Sequence, residues 1–288
     1  MRFNFVKMQG AGNDFIFLDY MHMEPPQFHP REVEYFCDRN FGVSADGFVV
    51  LFASKEAHAE WLFINSDGSE AEMCGNAARC AIRFLADKHY PDEVPLSIKT
   101  KAGIIKGKPL EDGLVEIALF KTAGGKAEYD HRVLKLDDVA IDVFSINTGV
   151  PHAVIEVKDL STYPIERIGK QLVRHPMFGK AGTNVTFFER EVGQKIRSTT
   201  FERGVEEETM ACGTGVAAAA IVYSQLFLQP FPIRVEAPGG ELVVDMSPIS
   251  KYILLQGPAE YVFEVQMGDV PMGFEKRRPY HEGKRGTK

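Results

Sequence analysis

Two segments of this chain, one in each half, carry the same short pattern, and that repeat restricts the chain to an architecture of two similar halves. Glu70-Ala71-Glu72-Met73-Cys74-Gly75-Asn76-Ala77 in the first half is answered by Glu208-Thr209-Met210-Ala211-Cys212-Gly213-Thr214-Gly215 in the second. Their surroundings repeat as well. In each half a strand pattern, an amphipathic helix and two more strand patterns precede the cysteine, and an apolar helix and a strand closing on glycine come after it. The interval from Cys74 to the closing Gly103 matches that from Cys212 to the closing Gly240 to within a single position. A period of nearly half the chain means one supersecondary series used twice.

Periodicity gives the fold class. Runs of β-branched and aromatic residues predict strands at 14–20, 48–52, 61–65, 96–101, 114–119, 153–157, 185–189, 196–201, 233–236 and 242–246. Amphipathic helices are expected at 31–39 and 165–175, and apolar helices begin at Cys74 and Cys212. The run Val216-Ala217-Ala218-Ala219-Ala220-Ile221-Val222 is apolar on every side, so it is surrounded rather than laid on one face of a sheet. The expected fold is α+β (mixed α/β), with two pseudo-symmetric domains, each a curled, mostly antiparallel sheet around a central helix. Residues 1–119 form the first half and 120–260 the second, with 261–288 expected to return to the first. If a pseudo-twofold relates the halves, the N-terminal ends of the two central helices face one another.

Composition then narrows the chemistry. The 288 residues carry a net charge of −7, so no global positive field draws in nucleic acid or an anionic membrane. The most apolar stretch, from Val216 to Leu228, is broken by Ser224 and Gln225 and is short of the ~20 residues that span a bilayer. The N-terminus enters an alternating strand pattern with no leader-like apolar run, which leads us to expect a cytoplasmic protein with reduced thiols. Four cysteines are too few for a disulfide scaffold, and their spacing gives no zinc knuckle. Cys37, inside an amphipathic helix, and Cys80, inside an apolar one, are expected to be inert core residues.

Cys74 and Cys212 are different because each stands where a helix begins. The positive end of a helix lowers a thiol's pKa from about 8.5, and the free N–H groups of the first turn suit a carboxylate. Two such ends facing one small molecule offer a base on one side of a carbon and an acid on the other. They also offer donors for a carboxylate into which carbanion charge spreads. That arrangement suits racemisation or epimerisation by two bases.

These residues carry a family resemblance. Asn65-Ser66-Asp67-Gly68-Ser69 before Met73-Cys74-Gly75-Asn76-Ala77-Ala78-Arg79, and Glu202-Arg203-Gly204-Val205 before Thr209-Met210-Ala211-Cys212-Gly213-Thr214-Gly215, resemble the two signature segments of diaminopimelate epimerase. Gly10-Ala11-Gly12-Asn13-Asp14-Phe15 and Gly149-Val150-Pro151-His152 match as well, so the resemblance runs in order from about residue 3 to residue 265. It implies an epimerase with no cofactor and no metal that interconverts LL- and meso-diaminopimelate for lysine and peptidoglycan synthesis, as a homodimer. Carried over by position, Cys74 and Cys212 are the proton donor and acceptor, while Gly75, Asn76, Gly213 and Thr214 supply donors to the carboxylate at the reacting carbon. Asn13, Asn65, Asn184, Glu202 and Arg203 contact substrate. Arg203 can grip a distal carboxylate bidentately, and the Asn and Glu side chains can accept from an ammonium. His152 and Glu202 resemble the family's polar pair near the thiols. Asn65 and Arg203 stand at the same interval before Cys74 and Cys212, which predicts equivalent places in the two halves.

The chain departs from the pattern twice. Some members carry Gln where this chain reads Ala45-Asp46-Gly47, and Asn where it has Val150, both substrate contacts. Gly10 and Gly12 after a strand do not open a dinucleotide site, because Phe15 and the residues after it read as strand rather than helix. Lys276, Arg277, Arg278, Lys284, Arg285 and Lys288 form a basic tail expected to be a solvated terminus. Two rivals stay open. One is a proline or hydroxyproline racemase, which typically has His where Asn76 stands; the other is a redox or binding protein in which Cys74 and Cys212 form a switchable disulfide.

Overall fold

The computed structural model describes residues 3–122, 127–137 and 139–267; the basic tail lies outside the described residues. The first half contains β1 (Phe3–Gly10), β2 (Asn13–Tyr20), α1 (Pro30–Cys37), β3 (Gly47–Phe52), β4 (Ala59–Asn65), α2 (Gly75–Lys88), β5 (Leu96–Thr100), β6 (Gly103–Pro109) and β7 (Leu114–Lys121). The second contains β8 (Asp130–Leu136), β9 (Val139–Asn147), β10 (Pro151–Glu156), α3 (Ile165–Leu172), β11 (Asn184–Arg190), β12 (Lys195–Phe201), the short β13 (Glu208–Thr209), α4 (Gly213–Phe227), β14 (Ile233–Ala237), β15 (Gly240–Met246) and β16 (Tyr252–Pro258), with β17 (Glu260–Met267) closing the described chain.

The pairing pattern is the same in both halves. In the first, β1 and β2 are antiparallel, β2 and β3 parallel, β3 and β4 antiparallel, β4 and β5 parallel, and β5, β6 and β7 successively antiparallel. The second repeats this through β9, β10, β11, β12, β14, β15 and β16. Each parallel pair is joined by a helix, because a parallel neighbour can be reached only by a crossover. The expected mixed α/β fold of two pseudo-symmetric halves is therefore present. After leaving the second half, β17 runs antiparallel to β1.

The two sheets are joined where β7 and β16 pair antiparallel. In that ladder Leu255 stands opposite Ile117, and the interval between these two positions equals that between Cys74 and Cys212. The pseudo-twofold therefore passes between them. Both are fully buried. Directly above them lie the first residues of α2 and α4: a side chain started at Gly75 would meet Ile117 at 3.8 Å and Leu255 at 3.8 Å, and one started at Gly213 would meet Leu255 at 3.0 Å. The approach is tight at Gly213, while at Gly75 a Cβ would make ordinary contact with the pair.

The central helices are packed as their sequences require. In α4, Val216 to Tyr223 are all buried, with strands of the second half on several sides. The Ala217–Ala220 run supplies strong helix propensity without bulk. The surface helices are shorter than periodicity predicts. α1 stops at Cys37 because Asp38 turns extended and its carboxylate accepts from the Asn40 and Phe41 N–H groups. α3 stops at Leu172 as the chain approaches Pro176, whose ring disfavours helix in the residue before it.

Strands β6, β8, β9, the short β13, β16 and β17 have no counterpart in the strand patterns read above. β6 and β8 are mostly exposed, β6 carrying Gly and Lys and β8 Asp, His, Arg and Lys, so they lack a two-residue alternation of apolar side chains. They are strands because neighbours supply the ladder.

Replacing Leu255 with Ala removes the side chain packed beneath both helix ends, and is expected to cost about 2–5 kcal/mol in urea unfolding. A loss below about 1 kcal/mol would mean that the seam is not where the helix ends are supported.

Candidate active site

Cys74 and Cys212 are the N-cap residues of α2 and α4, each in extended backbone geometry and with no side-chain cap. The first intrahelical bonds run from Ala78 N–H to the Cys74 carbonyl and from Val216 N–H to the Cys212 carbonyl, both at 2.9 Å. The N–H groups of residues 75–77 and 213–215 therefore precede the helical ladder and face outward from it. The two ends touch through Asn76, whose Nδ2 donates to the Ala211 carbonyl at 2.8 Å and to Asn13 Oδ1 at 3.2 Å. Asn13 Oδ1 also accepts from Cys74 Sγ at 3.7 Å, and Asn13 Nδ2 donates to Asp46 Oδ2 at 2.5 Å. Asn76 Oδ1 is buried, has no partner among the described residues, and faces Gly213.

The second thiol has a different surrounding. Cys212 Sγ lies 3.4 Å from Thr214 Oγ1, which is 3.0 Å from His152 Nε2; His152 Nδ1 is 3.0 Å from Thr186 Oγ1, and Thr186 is 3.1 Å from Thr200 Oγ1. His152 is almost fully buried, and burial, helped by the Arg203 charge, holds its pKa down to about 3. It is therefore neutral, donating from one ring nitrogen and accepting at the other. His152 reaches Cys212 through Thr214 and is not itself bonded to either thiol. Glu202 contacts Cys212 and accepts from Thr209 Oγ1 at 2.6 Å, and burial raises its pKa.

The expected depression of the thiol pKa values is reversed. Burial pushes Cys74 up to about 11; the backbone N–H groups of Ala77 and Asn76 oppose the shift and Glu202 adds to it. Burial also pushes Cys212 up, and the Glu202 carboxylate is the next largest influence. The helix ends act in the expected direction, but desolvation of a thiolate outweighs them.

Asn65 ends β4, Asn184 opens β11, and Arg203 lies in the turn just past the end of β12. Asn65 Nδ2 donates to Ser69 Oγ at 3.0 Å; Asn184 Oδ1 accepts from Arg203 N–H at 2.9 Å; and Arg203 Nη1 donates to the Ala181 carbonyl at 2.8 Å. The equivalence expected for Asn65 and Arg203 needs correction. In the first half Phe48 pairs with Ile64, and in the second Val185 pairs with Phe201, so Phe48 corresponds to Val185 and Ile64 to Phe201. Asn65 then corresponds to Glu202, and Arg203 lies one position further along. Counting back from the cysteines misaligns the two because the segment between strand and helix is one position longer in the second half.

The same register explains the polar cluster. His152, Thr186 and Thr200 occupy the places of Phe15, Val49 and Phe63, where Phe15 and Phe63 pack edge to face at 6.0 Å. One half lines its helix end with apolar groups and the other with a hydrogen-bonded chain. Sequence reading missed Thr186, Thr200, Thr209 and Asp46. The first two were legible only as hydroxyls at inward positions of apolar strands. A groove of about 590 Å³ between β9, β10 and the end of α4 contains none of these residues. Among the described residues, no group of three or more His, Cys, Asp or Glu side chains is placed to hold a metal ion, and no helix is long and apolar enough to cross a membrane.

Comparisons with known proteins agree with this architecture. The fold is shared with a hydroxyproline epimerase from Agrobacterium vitis (TM-score 0.66, 15% identity, 95% of this chain and 94% of that one) and with a putative PhzC/PhzF phenazine biosynthesis protein from Clostridium difficile (TM-score 0.71, 12% identity, 93% and 100%). These likenesses place the chain in a class of two-lobed folds. The family model described as diaminopimelate epimerase matches residues 5–123 and again 144–262, one match per half. Diaminopimelate epimerases from Aquifex aeolicus (36% identity over 276 residues, 92% of this chain and 98% of that protein) and Azoarcus sp. (35% over 277, 93% and 99%) are similar along their whole length. The chain belongs to the diaminopimelate epimerase family.

Gly215 is the first-turn residue pressed against the polar cluster: a Cβ there would lie 2.4 Å from Thr200 Oγ1 and 2.9 Å from Thr186 Oγ1. Gly215→Ala is expected to lower stability by about 1–3 kcal/mol despite Ala's better helix propensity. Urea unfolding checks this; a stabilised variant would show that the cluster is not packed against the helix end.

Proposed function

We propose that this enzyme interconverts LL- and meso-diaminopimelate by a two-thiol mechanism, in the synthesis of lysine and peptidoglycan precursors. The observation that carries the proposal is the meeting of two uncapped helix ends, each headed by a cysteine, across the Ile117–Leu255 pair. The carboxylate beside the reacting carbon would accept from the N–H groups of Gly75, Asn76, Gly213 and Thr214, which also stabilise charge spreading into it from the carbanion. One cysteine, as thiolate, takes the α-proton and becomes a thiol. The other, initially a thiol, gives its proton to the opposite face and becomes the thiolate. One proton leaves the carbon and one arrives, so configuration inverts with no net change in the substrate's composition.

Glu202 beside Cys212, and His152 acting through Thr214, hold the second thiol in place. Asn13, Asn65, Asn184, Glu202 and Arg203 are assigned to the rest of the substrate, with Arg203 on the distal carboxylate. With Gly47 and Val150 at two positions where some members carry Gln and Asn, the distal contacts differ in detail from theirs. A homodimer is proposed on the family resemblance.

The direct test is incubation with LL-diaminopimelate in deuterated water. Deuterium is expected at the inverted carbon, with Cys74→Ala and Cys212→Ala each lowering kcat by about 10²–10⁴. Variants that keep wild-type rates would overturn the mechanism. Reducing conditions are expected to sustain turnover, whereas a redox switch would show no turnover at all. Because burial holds both thiols protonated, acid removes the base. kcat/KM for the LL isomer is therefore expected to rise by about tenfold per unit between about pH 6 and 8. A flat profile over that range would contradict a thiolate base.

A further inference from the structure

The first half carries a series of polar contacts that the second half folds without. Lys7, on β1, is 9% exposed. Its Nζ donates to the Val43 carbonyl at 3.2 Å and to the Ser44 carbonyl, and pairs with Asp14 Oδ2 at 2.8 Å. Ser44 holds a left-handed φ of 58°, a conformation that persists in a residue with a side chain only where its surroundings fix it, and here the buried ammonium does so. The loop shaped in this way brings Asp46 beside Asp14. Asp46 N–H donates to Asp14 Oδ1 at 3.0 Å, and Asp14 N–H donates back to Asp46 Oδ2 at 3.2 Å. Two neighbouring carboxylates repel one another, and the Lys7 ammonium on Asp14 offsets that repulsion.

Asn13 stands at the far end of the series. A carboxylate only accepts, so Asp46 Oδ2 takes the NH2 group of Asn13, at 2.5 Å, and turns the amide carbonyl the other way. That carbonyl accepts from Cys74 Sγ at 3.7 Å and from Asn76 Nδ2 at 3.2 Å. Reversing the amide would set its oxygen against the carboxylate and its NH2 against the NH2 of Asn76. Asn76 Nδ2 also donates at 2.8 Å to the carbonyl of Ala211, the residue before Cys212. The direction that Asp46 imposes on one amide is therefore passed to both helix ends.

The equivalent places in the second half show that the shared backbone does not need this series. Phe15 and its partner Met8 correspond to His152 and its partner Ile146. By the same register Lys7, Asn13, Asp14 and Asp46 correspond to Ser145, Val150, Pro151 and Thr183. The strands pair in the same order there with no ammonium, carboxylate or amide at these positions. Thr183 Oγ1 donates to the carbonyl of the next residue, Asn184, at 3.0 Å.

We propose that Asp46, braced by Lys7 and Asp14, is a positioning residue: it fixes the Asn13 amide and, through it, the Cys74 side chain and the alignment of the two helix ends. The inference rests on the two-thiol reading above and deepens it, because it names what holds the first thiol and ties its helix end to the second.

Double-mutant kinetics with LL-diaminopimelate test this, since a residue that acts through Asn13 has nothing to act on once that amide is gone. Asp46→Ala is expected to lower kcat/KM by about tenfold in the wild-type background and by less than about twofold beside Asn13→Ala. Asp46→Asn keeps an oxygen for both donors but no longer forces the direction of the amide. It is expected to lower kcat/KM by about threefold, again only where Asn13 is present. A loss by the same factor in both backgrounds would overturn the proposal, as would no loss in either. Asp46→Asn as damaging as Asp46→Ala would also overturn it, because the charge rather than the bond to Asn13 would then be at work. If Asp46→Ala does not fold, Asp46→Asn in the two backgrounds decides alone. Failure of the two-thiol reading is separately visible as a cysteine-to-alanine variant that still turns over.

Discussion

The structure depends on bringing two positive helix ends together. Each end carries the equivalent of about half a positive charge and several unpaired N–H groups, so their approach is unfavourable unless something holds it. Here the Ile117–Leu255 pair supports both ends from below, glycine at 213 permits close contact, and Asn76 ties one end to the carbonyl before the other. What remains is a pair of helix ends whose first N–H groups lie outside the helical ladder, with the Glu202 and Asp46 carboxylates close by.

Duplication explains the approach, and divergence explains the chemistry. The pairing order of the strands is the same in both halves, yet the groups behind the two thiols differ. Phe15 and Phe63 pack behind the first helix end, with Arg79 buried deeper along the same helix; His152, Thr186 and Thr200 stand behind the second, with Glu202 at its thiol. A reaction that takes a proton from one face and delivers one to the other needs two similar reach distances and two different protonation states. In the proposed two-thiol mechanism the common backbone suits the first need, and the unlike side chains around the thiols suit the second.

Much of this was legible before any coordinates. The cysteine segments, the all-apolar α4 and the alternating strands are local signals, so the two-half architecture and the thiol pair could be read directly. β17 could not, because its exposed apolar residues owe their strand to β1, a partner from the opposite end of the described chain. Arg79 could not either, since a charged residue in a helix reads as solvated until glycines in distant strands are seen to make room for it. The direction of the thiol shifts was misread for the same reason. A helix end is visible in sequence, but the desolvation that outweighs it depends on how closely the other half covers the site.

The central claim is that one thiol from each half faces a shared point. Mild oxidation of the substrate-free enzyme, followed by peptide mass spectrometry and an activity assay, tests it most directly. The account predicts a Cys74–Cys212 disulfide forming in step with loss of activity, both reversed by dithiothreitol, with Cys37 and Cys80 remaining free thiols. Inactivation with Cys74 and Cys212 never linked to each other would contradict it.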